Sequence, residues 1–126
     1  MAEVTRSTRA ITLSIVVPLR DEIESIPSLV DQLEQFRAGF PYDLELILVD
    51  DGSRDQSWAA IRERAATRSW LRGIRFRAGR GQTAAMVAGI QATRGEYVTF
   101  LDADLQVGIE IPQRQRVRGT GNLPVS

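Results

Sequence analysis

Four short apolar runs alternate with three longer stretches in which apolar residues recur every three or four positions. Leu13 to Val17 is the first run, and its β-branched residues suit a buried strand. It reads as ending at Pro18, which has no amide hydrogen to offer a neighbouring strand. Arg20 to Glu24 is then a charged loop. From about Ile26 to Ala38, the residues Ile26, Leu29, Val30, Leu33 and Phe36 fall on one helical face, with Ser25 as N-cap and Gly39 and Pro41 as the stop. Leu44 to Val49 is a second strand, closed by Asp50-Asp51-Gly52-Ser53, where Gly52 permits a sharp turn. A second helix runs from about Asp55 to Arg68 and turns Trp58, Ile61 and Ala65 inward. Leu71 to Phe76 is a third strand, Ala78 to Gln82 a glycine-rich turn, and Thr83 to Thr93 a helix of small residues. Gly95 resets the chain into a fourth strand, Tyr97 to Leu101, which runs directly into Asp102-Ala103-Asp104.

Alternation of this kind builds right-handed βαβ units, an α/β fold with a parallel sheet and helices on its faces. Ligands of such sheets bind beyond the carboxyl ends of the strands, where strand order reverses. Glu22, Asp50, Asp51, Asp102 and Asp104 all follow a strand, so they gather along one sheet edge. Asp102 and Asp104 are two residues apart, and in extended chain such residues project to the same side. Two carboxylates held that close resist ionising together unless a cation or strong donors sit between them. Around this unit, residues 1–10 read as a polar leader without a signal-peptide core. Residues 11–106 form the domain. Residues 107–126, rich in Arg, Gln, Gly and Pro and without a sustained period, read as a poorly ordered tail.

Composition narrows the chemistry. The 126 residues suit one domain, and the net charge is zero, so no global field draws the chain to nucleic acid or to anionic lipid. All 16 basic residues are Arg. Eight of them, from Arg54 to Arg80, form a basic middle stretch, which reads as solvated helix and loop faces. There is no Cys, His or Lys. Thiol and Ser-His nucleophiles, the usual zinc sites, Schiff bases and a phosphate-loop lysine are therefore excluded. Carboxylate, hydroxyl, guanidinium and backbone amide remain, and carboxylates suit hard cations such as Mg2+ or Mn2+. No apolar run reaches the length of a membrane span, which points to a cytoplasmic protein.

Three acidic turns on one edge suit a nucleoside diphosphate. One carboxylate can accept from ribose hydroxyls or a base N–H while another holds a divalent ion on the diphosphate. A competing reading is a fragment binding an NAD(P)-type dinucleotide. Gly79-Arg80-Gly81-Gln82-Thr83-Ala84 fits G-x-G-x-x-A, but it follows the third strand rather than the first and leaves Asp50, Asp51 and Asp104 without a role. A second competing reading is a non-catalytic α/β interaction domain.

Five segments, in order and at consistent spacing, resemble the first half of a family 2 glycosyltransferase of GT-A fold. They are Ser14 to Glu22, Leu48 to Ser53, Gly81 to Ile90, Arg94 to Tyr97, and Leu101 to Gln106. The Gly81-Gln82-Thr83-Ala84-Ala85 stretch is similar to the polyprenyl-phosphate branch, the relatives of dolichol-phosphate mannosyltransferase and bactoprenol glucosyltransferase. The resemblance implies that Pro18, Leu19 and Glu22 line a nucleoside pocket and that Asp50 or Asp51 accepts from the base. It further implies that Asp102 meets the ribose or the metal, that Asp104 is a metal ligand, and that Arg80 and Gln82 lie near the diphosphate. The implied donor is a UDP- or GDP-linked sugar, the cofactor Mg2+ or Mn2+, and the acceptor a polyprenyl phosphate at the inner face of the membrane. The chain departs from the pattern at Gly79, where relatives often carry Asn, and at Arg20, where they often carry an aromatic residue. Past Gln106 the resemblance stops. The sequence therefore reads as a donor-binding half truncated after about four strands, without the acceptor half, without an assigned catalytic residue, and incompetent for transfer alone.

Overall fold

The computed structural model describes residues 10–104. The expected tail, and all of the expected leader but Ala10, lie outside them. The elements are β1 (Ile11–Leu19), α1 (Ile26–Gly39), β2 (Leu44–Asp50), α2 (Ser57–Ala65), β3 (Leu71–Arg75), α3 (Gln82–Ala92) and β4 (Gly95–Phe100). All strand pairs are parallel, in the order β3-β2-β1-β4. Every predicted strand and helix is present, with shifted ends.

The sheet is buried on both faces. Leu13, Ile15 and Val17 of β1 and Leu44, Leu46 and Leu48 of β2 pack with Ile26, Leu29 and Leu33 of α1 and Ile61 of α2. The intervening Val16, Ile47, Val49 and Val98 face Ala85 of α3. Each such aliphatic side chain contributes about 1.5–3 kcal/mol when fully buried. Small residues let α3 lie close to the sheet: a Cβ on Gly89 would meet Val16 Cγ1 at 2.3 Å.

Several boundaries move for physical reasons. β1 continues past Pro18 to Leu19. Residues of a strand alternate which neighbour they bond: the amide of Leu101 donates to Val16 O on the β4 side, and the amide of Asp51 donates to Leu19 O on the β2 side. Pro18 shares the side of Val16. The β4 register ends at Val16 with Phe100, so the missing amide hydrogen points where no strand waits. Ser25 does not cap α1 with its side chain. Its hydroxyl instead donates to Glu22 Oε1 at 2.9 Å. α2 is shorter than its pattern at both ends. Asp55 is drawn out to bond the β1–α1 loop at Ile23, and the amides of Thr67 and Arg68 close tight turns on Arg64 and Ala65.

In the basic stretch Arg54, Arg62, Arg75, Arg77 and Arg80 are exposed, as expected, while Arg64, Arg68 and Arg72 are partly buried. Arg72 Nη2 lies 2.8 Å from Glu45 Oε1, and Glu45 is 4% exposed. Glu45 Oε2 accepts the Ser14 hydroxyl and the Arg94 amide, each at 2.7 Å, and Arg72 also donates to Ala92 O. This satisfied polar knot joins three strands to the turn before β4 at the sheet end opposite the acidic turns. Arg75 and Arg80 lie over the rings of Trp58 and Phe76, at 5.8 Å and 5.1 Å.

From β1 the chain winds outward through β2 and β3 by way of α1 and α2 on one face. Then α3 carries it back across the other face to β4. Strand order thus reverses between β1 and β4, and the loops leaving these two strands part from each other.

Candidate functional site

A cleft of about 320 Å³ opens at that reversal, lined by Pro18, Leu19, Arg20, Glu22, Asp51, Gln82, Asp102, Ala103 and Asp104. It gathers residues from the ends of β1, β2 and β4 and from the start of α3. Of the residues singled out from the sequence, Pro18, Leu19, Glu22, Asp51, Gln82, Asp102 and Asp104 meet here. Asp50 does not line it. Its side chain is fully buried; Oδ1 accepts the Ser53 amide at 2.9 Å, and Oδ2 has no hydrogen-bond partner among the described residues.

Two loops beside the cleft are clamped together. Asp21 Oδ1 accepts the amides of Arg54 at 2.7 Å and Asp55 at 3.3 Å, and the Asp21 amide donates to Ser53 Oγ at 2.8 Å. In return the amides of Glu22 and Ile23 donate to Ser57 Oγ at 3.0 Å and Asp55 Oδ2 at 3.2 Å. Asp21 holds φ 53°, a left-handed conformation that Asp tolerates better than most residues. Burial pushes the Asp55 carboxyl up. The hydrogen bonds from the Ser57 hydroxyl and from the Ser57 and Ile23 amides outweigh this and hold it below its usual 3.8. Asp21 reads in the sequence only as a loop charge and Asp55 only as the start of a helix, because the partners that clamp the two loops lie more than thirty residues away.

Asp51, 6% exposed, fastens the third loop. Its Oδ1 accepts the Arg80 amide at 2.6 Å, and Oδ2 accepts the Gly81 amide at 3.1 Å. Oδ1 also receives the Gly81 amide at 3.3 Å. A carboxylate ahead of a helix N-terminus compensates the unpaired amides and the dipole there. Two amides of the loop that matched the dinucleotide pattern, those of Arg80 and Gly81, are therefore already given to a protein carboxylate. A carboxylate has about four acceptor positions, so these bonds leave one of Asp51 unused.

Glycines bring the backbones together beside it. Gly52 has φ 75°, and a Cβ there would lie 2.3 Å from Gly79 N. A Cβ on Gly79 would lie 2.8 Å from Arg20 Nη1 and 3.3 Å from Asp51 O. The two positions at which the chain departs from the glycosyltransferase pattern thus touch each other, Arg20 lying over the space a side chain at 79 would take.

Asp102 and Asp104 are exposed on either side of buried Ala103. Among the described residues no group of three or more acidic side chains could hold a metal ion. Two carboxylates nevertheless fit a Mg2+ or Mn2+ ion whose remaining positions come from phosphate oxygens and water.

The profile of glycosyl transferase family 2 matches residues 14–111. A dodecaprenyl-phosphate galacturonate synthase of Rhizobium johnstonii is 38% identical over 99 residues, which is 78% of this chain and 29% of that protein. A mannosyltransferase from Pyrobaculum calidifontis, solved with GDP-Man and Mn2+, superposes with a TM-score of 0.66 at 26% identity, over 77% of this chain and 28% of its own. S. aureus TarS 1-349 in complex with UDP gives a TM-score of 0.65 at 26% identity, over 75% of this chain and 28% of its own. The chain thus spans less than a third of the length of these relatives. Among the described residues no helix is long and apolar enough to cross a membrane.

Proposed function

Since the chain belongs to glycosyl transferase family 2, we propose that its cleft holds the nucleoside diphosphate of a UDP- or GDP-linked sugar, for transfer to a polyprenyl phosphate at the cytoplasmic face of the membrane. The observation that carries this reading is the meeting of Glu22, Asp51, Asp102 and Asp104 in one cleft at the strand-order reversal. The nucleotide-bound neighbours support the donor class, and the polyprenyl-phosphate relative supports the acceptor.

Pro18 and Leu19 give the cleft an apolar wall against which a base lies. Asp51 accepts a base N–H with its remaining lone pair, and Glu22 accepts from the nucleoside. Asp102 and Asp104 hold a Mg2+ or Mn2+ ion at the diphosphate, and Gln82, at the first position of α3, reaches the same group. When bound, the ion offsets charge developing on the departing diphosphate. In the transfer an oxygen of the lipid phosphate forms a bond to the anomeric carbon, the bond from that carbon to the diphosphate breaks, and the nucleoside diphosphate leaves. The attacking oxygen is already anionic, so holding it in line supplies most of the acceleration. None of the described residues is assigned to the acceptor. The polypeptide of residues 1–126 is therefore proposed to bind donor without transferring it.

Calorimetry tests the reading. UDP or GDP should bind with added Mn2+ or Mg2+, bind much more weakly in excess chelator, and outcompete NAD. Equal affinity with and without chelator would remove the metal from the proposal, and a preference for NAD would overturn the donor class. Incubation with labelled nucleotide sugar, metal and polyprenyl phosphate should yield no labelled lipid.

A further inference from the structure

We propose that Arg20, seated on Gly79, selects the base of the nucleotide, favouring the keto bases uracil and guanine over the amino bases cytosine and adenine. The inference rests on the nucleotide reading above. Among the described residues, Arg20 is the one cation lining a cleft whose other charged residues are carboxylates. Its side chain makes no hydrogen bond or ion pair among the described residues, whereas Arg64, Arg68 and Arg72 are each paired. The fold nonetheless makes a place for it. The Gly52 backbone lies too close to that of Gly79 to carry a Cβ, and the Arg20 guanidinium rests on Gly79, in the space a Cβ there would take. A side chain at either glycine would close this notch.

Position says which part of the ligand Arg20 meets. Gly79 packs against Asp51 and Gly52 at the end of β2, and Asp102 and Asp104 follow β4, with β1 between the two strands. Two strand spacings are on the order of 10 Å, the scale of a nucleoside diphosphate laid lengthwise. With the diphosphate and its ion at Asp102 and Asp104, the base lies toward Arg20 and Asp51. Guanidinium is donor-only, with five N–H groups, and Asp51 is acceptor-only. Gly79 brings the two together, facing the Arg20 guanidinium on one side and the Asp51 backbone on the other. A donor beside an acceptor matches a carbonyl beside a ring N–H, which uracil and guanine present. Cytosine and adenine carry an amino group where those bases carry the carbonyl, and they would set donor against donor.

The experiment measures binding of UDP, GDP, CDP, ADP and inorganic pyrophosphate, all with Mn2+, to the wild-type chain and to Arg20→Ala and Gly79→Ala. In the wild type, UDP or GDP should bind roughly 10- to 100-fold more tightly than CDP and ADP, the range of a charged hydrogen bond. Arg20→Ala should bring that ratio close to one while pyrophosphate affinity stays unchanged. Gly79→Ala, whose methyl displaces the guanidinium, should lower the ratio in the same direction. A ratio that survives Arg20→Ala overturns the base assignment and leaves the nucleotide reading standing. A parallel loss of pyrophosphate affinity overturns it too, by making Arg20 a diphosphate contact. If the wild type binds no nucleoside diphosphate, the nucleotide reading itself falls, and this inference with it.

Discussion

The carboxylate of Asp51 and the backbone amide of Arg80 lie 2.6 Å apart, a hydrogen bond that ties the end of β2 to the loop ahead of α3. Asp50, the preceding residue, turns its side chain away from the cleft and is fully buried. The pair therefore separates by role. Asp51→Asn places an N–H group among amide donors and should cost about 1–3 kcal/mol of stability together with most of the nucleotide affinity. Asp50→Asn keeps an oxygen for the Ser53 amide and should leave nucleotide affinity unchanged. Urea unfolding and nucleotide titration of both variants decide the matter. Equal loss of binding in the two would return Asp50 to the site.

Asp102 and Asp104 are exposed, and substitution there leaves the core intact. Asp102→Asn and Asp104→Asn should each weaken metal-dependent nucleotide binding by ~1.5–3 kcal/mol without lowering the melting temperature. Removing one of two neighbouring carboxylates also relieves their repulsion, so the melting temperature of the metal-free protein should hold or rise. A sharp fall in melting temperature with binding intact would make the residue structural.

Glu45 and Arg72 form a pair in which the acid is buried and the base half-buried. Arg72→Met strands a buried carboxylate and should destabilise by about 3–5 kcal/mol. Replacing both residues, Glu45→Gln with Arg72→Met, should cost less than Arg72→Met alone, because no uncompensated charge remains. Chemical denaturation of the two single variants and the double variant measures the coupling. Additive effects would show that the pair is not coupled.

The Asp55 carboxyl is held below its ordinary 3.8 by the Ser57 and Ile23 hydrogen bonds, against burial that pushes it up. A depressed value in the folded state means that the ionised form is favoured there. The stability it brings is present in full above the ordinary carboxylate value, and it is lost as pH falls through the depressed one. Asp55→Asn should therefore be less stable than wild type near neutral pH, and the two should converge in acid. Denaturation midpoints measured across the acid range test this. A gap that persists below the depressed value would assign the loss to packing rather than charge.

The alternation of strands and helices was legible in the sequence because it depends on local periodicity, and burial on one side of each element enforces that period. The gathering of Glu22, Asp51, Asp102 and Asp104 was legible for a related reason: a parallel sheet sends the ends of all its strands to one edge. What stayed hidden depends on register between distant segments. Pro18 stays in β1 because β4 stops pairing at Val16. Asp21 becomes a clamp because the β2–α2 loop presents two amides to it. Glu45 is a charge inside a strand until the register places Ser14 beside it and folding brings Arg72 and the Arg94 amide to its carboxylate. Asp50 and Asp51 are chemically identical neighbours, and only the pleat decides which of them faces α3 and the cleft. Nor does the sequence disclose that Arg20 and Gly79, fifty-nine positions apart, meet over Gly52. The elements follow from forces acting within a few residues. The site follows from contacts across 29 residues or more, which exist only once the sheet has closed.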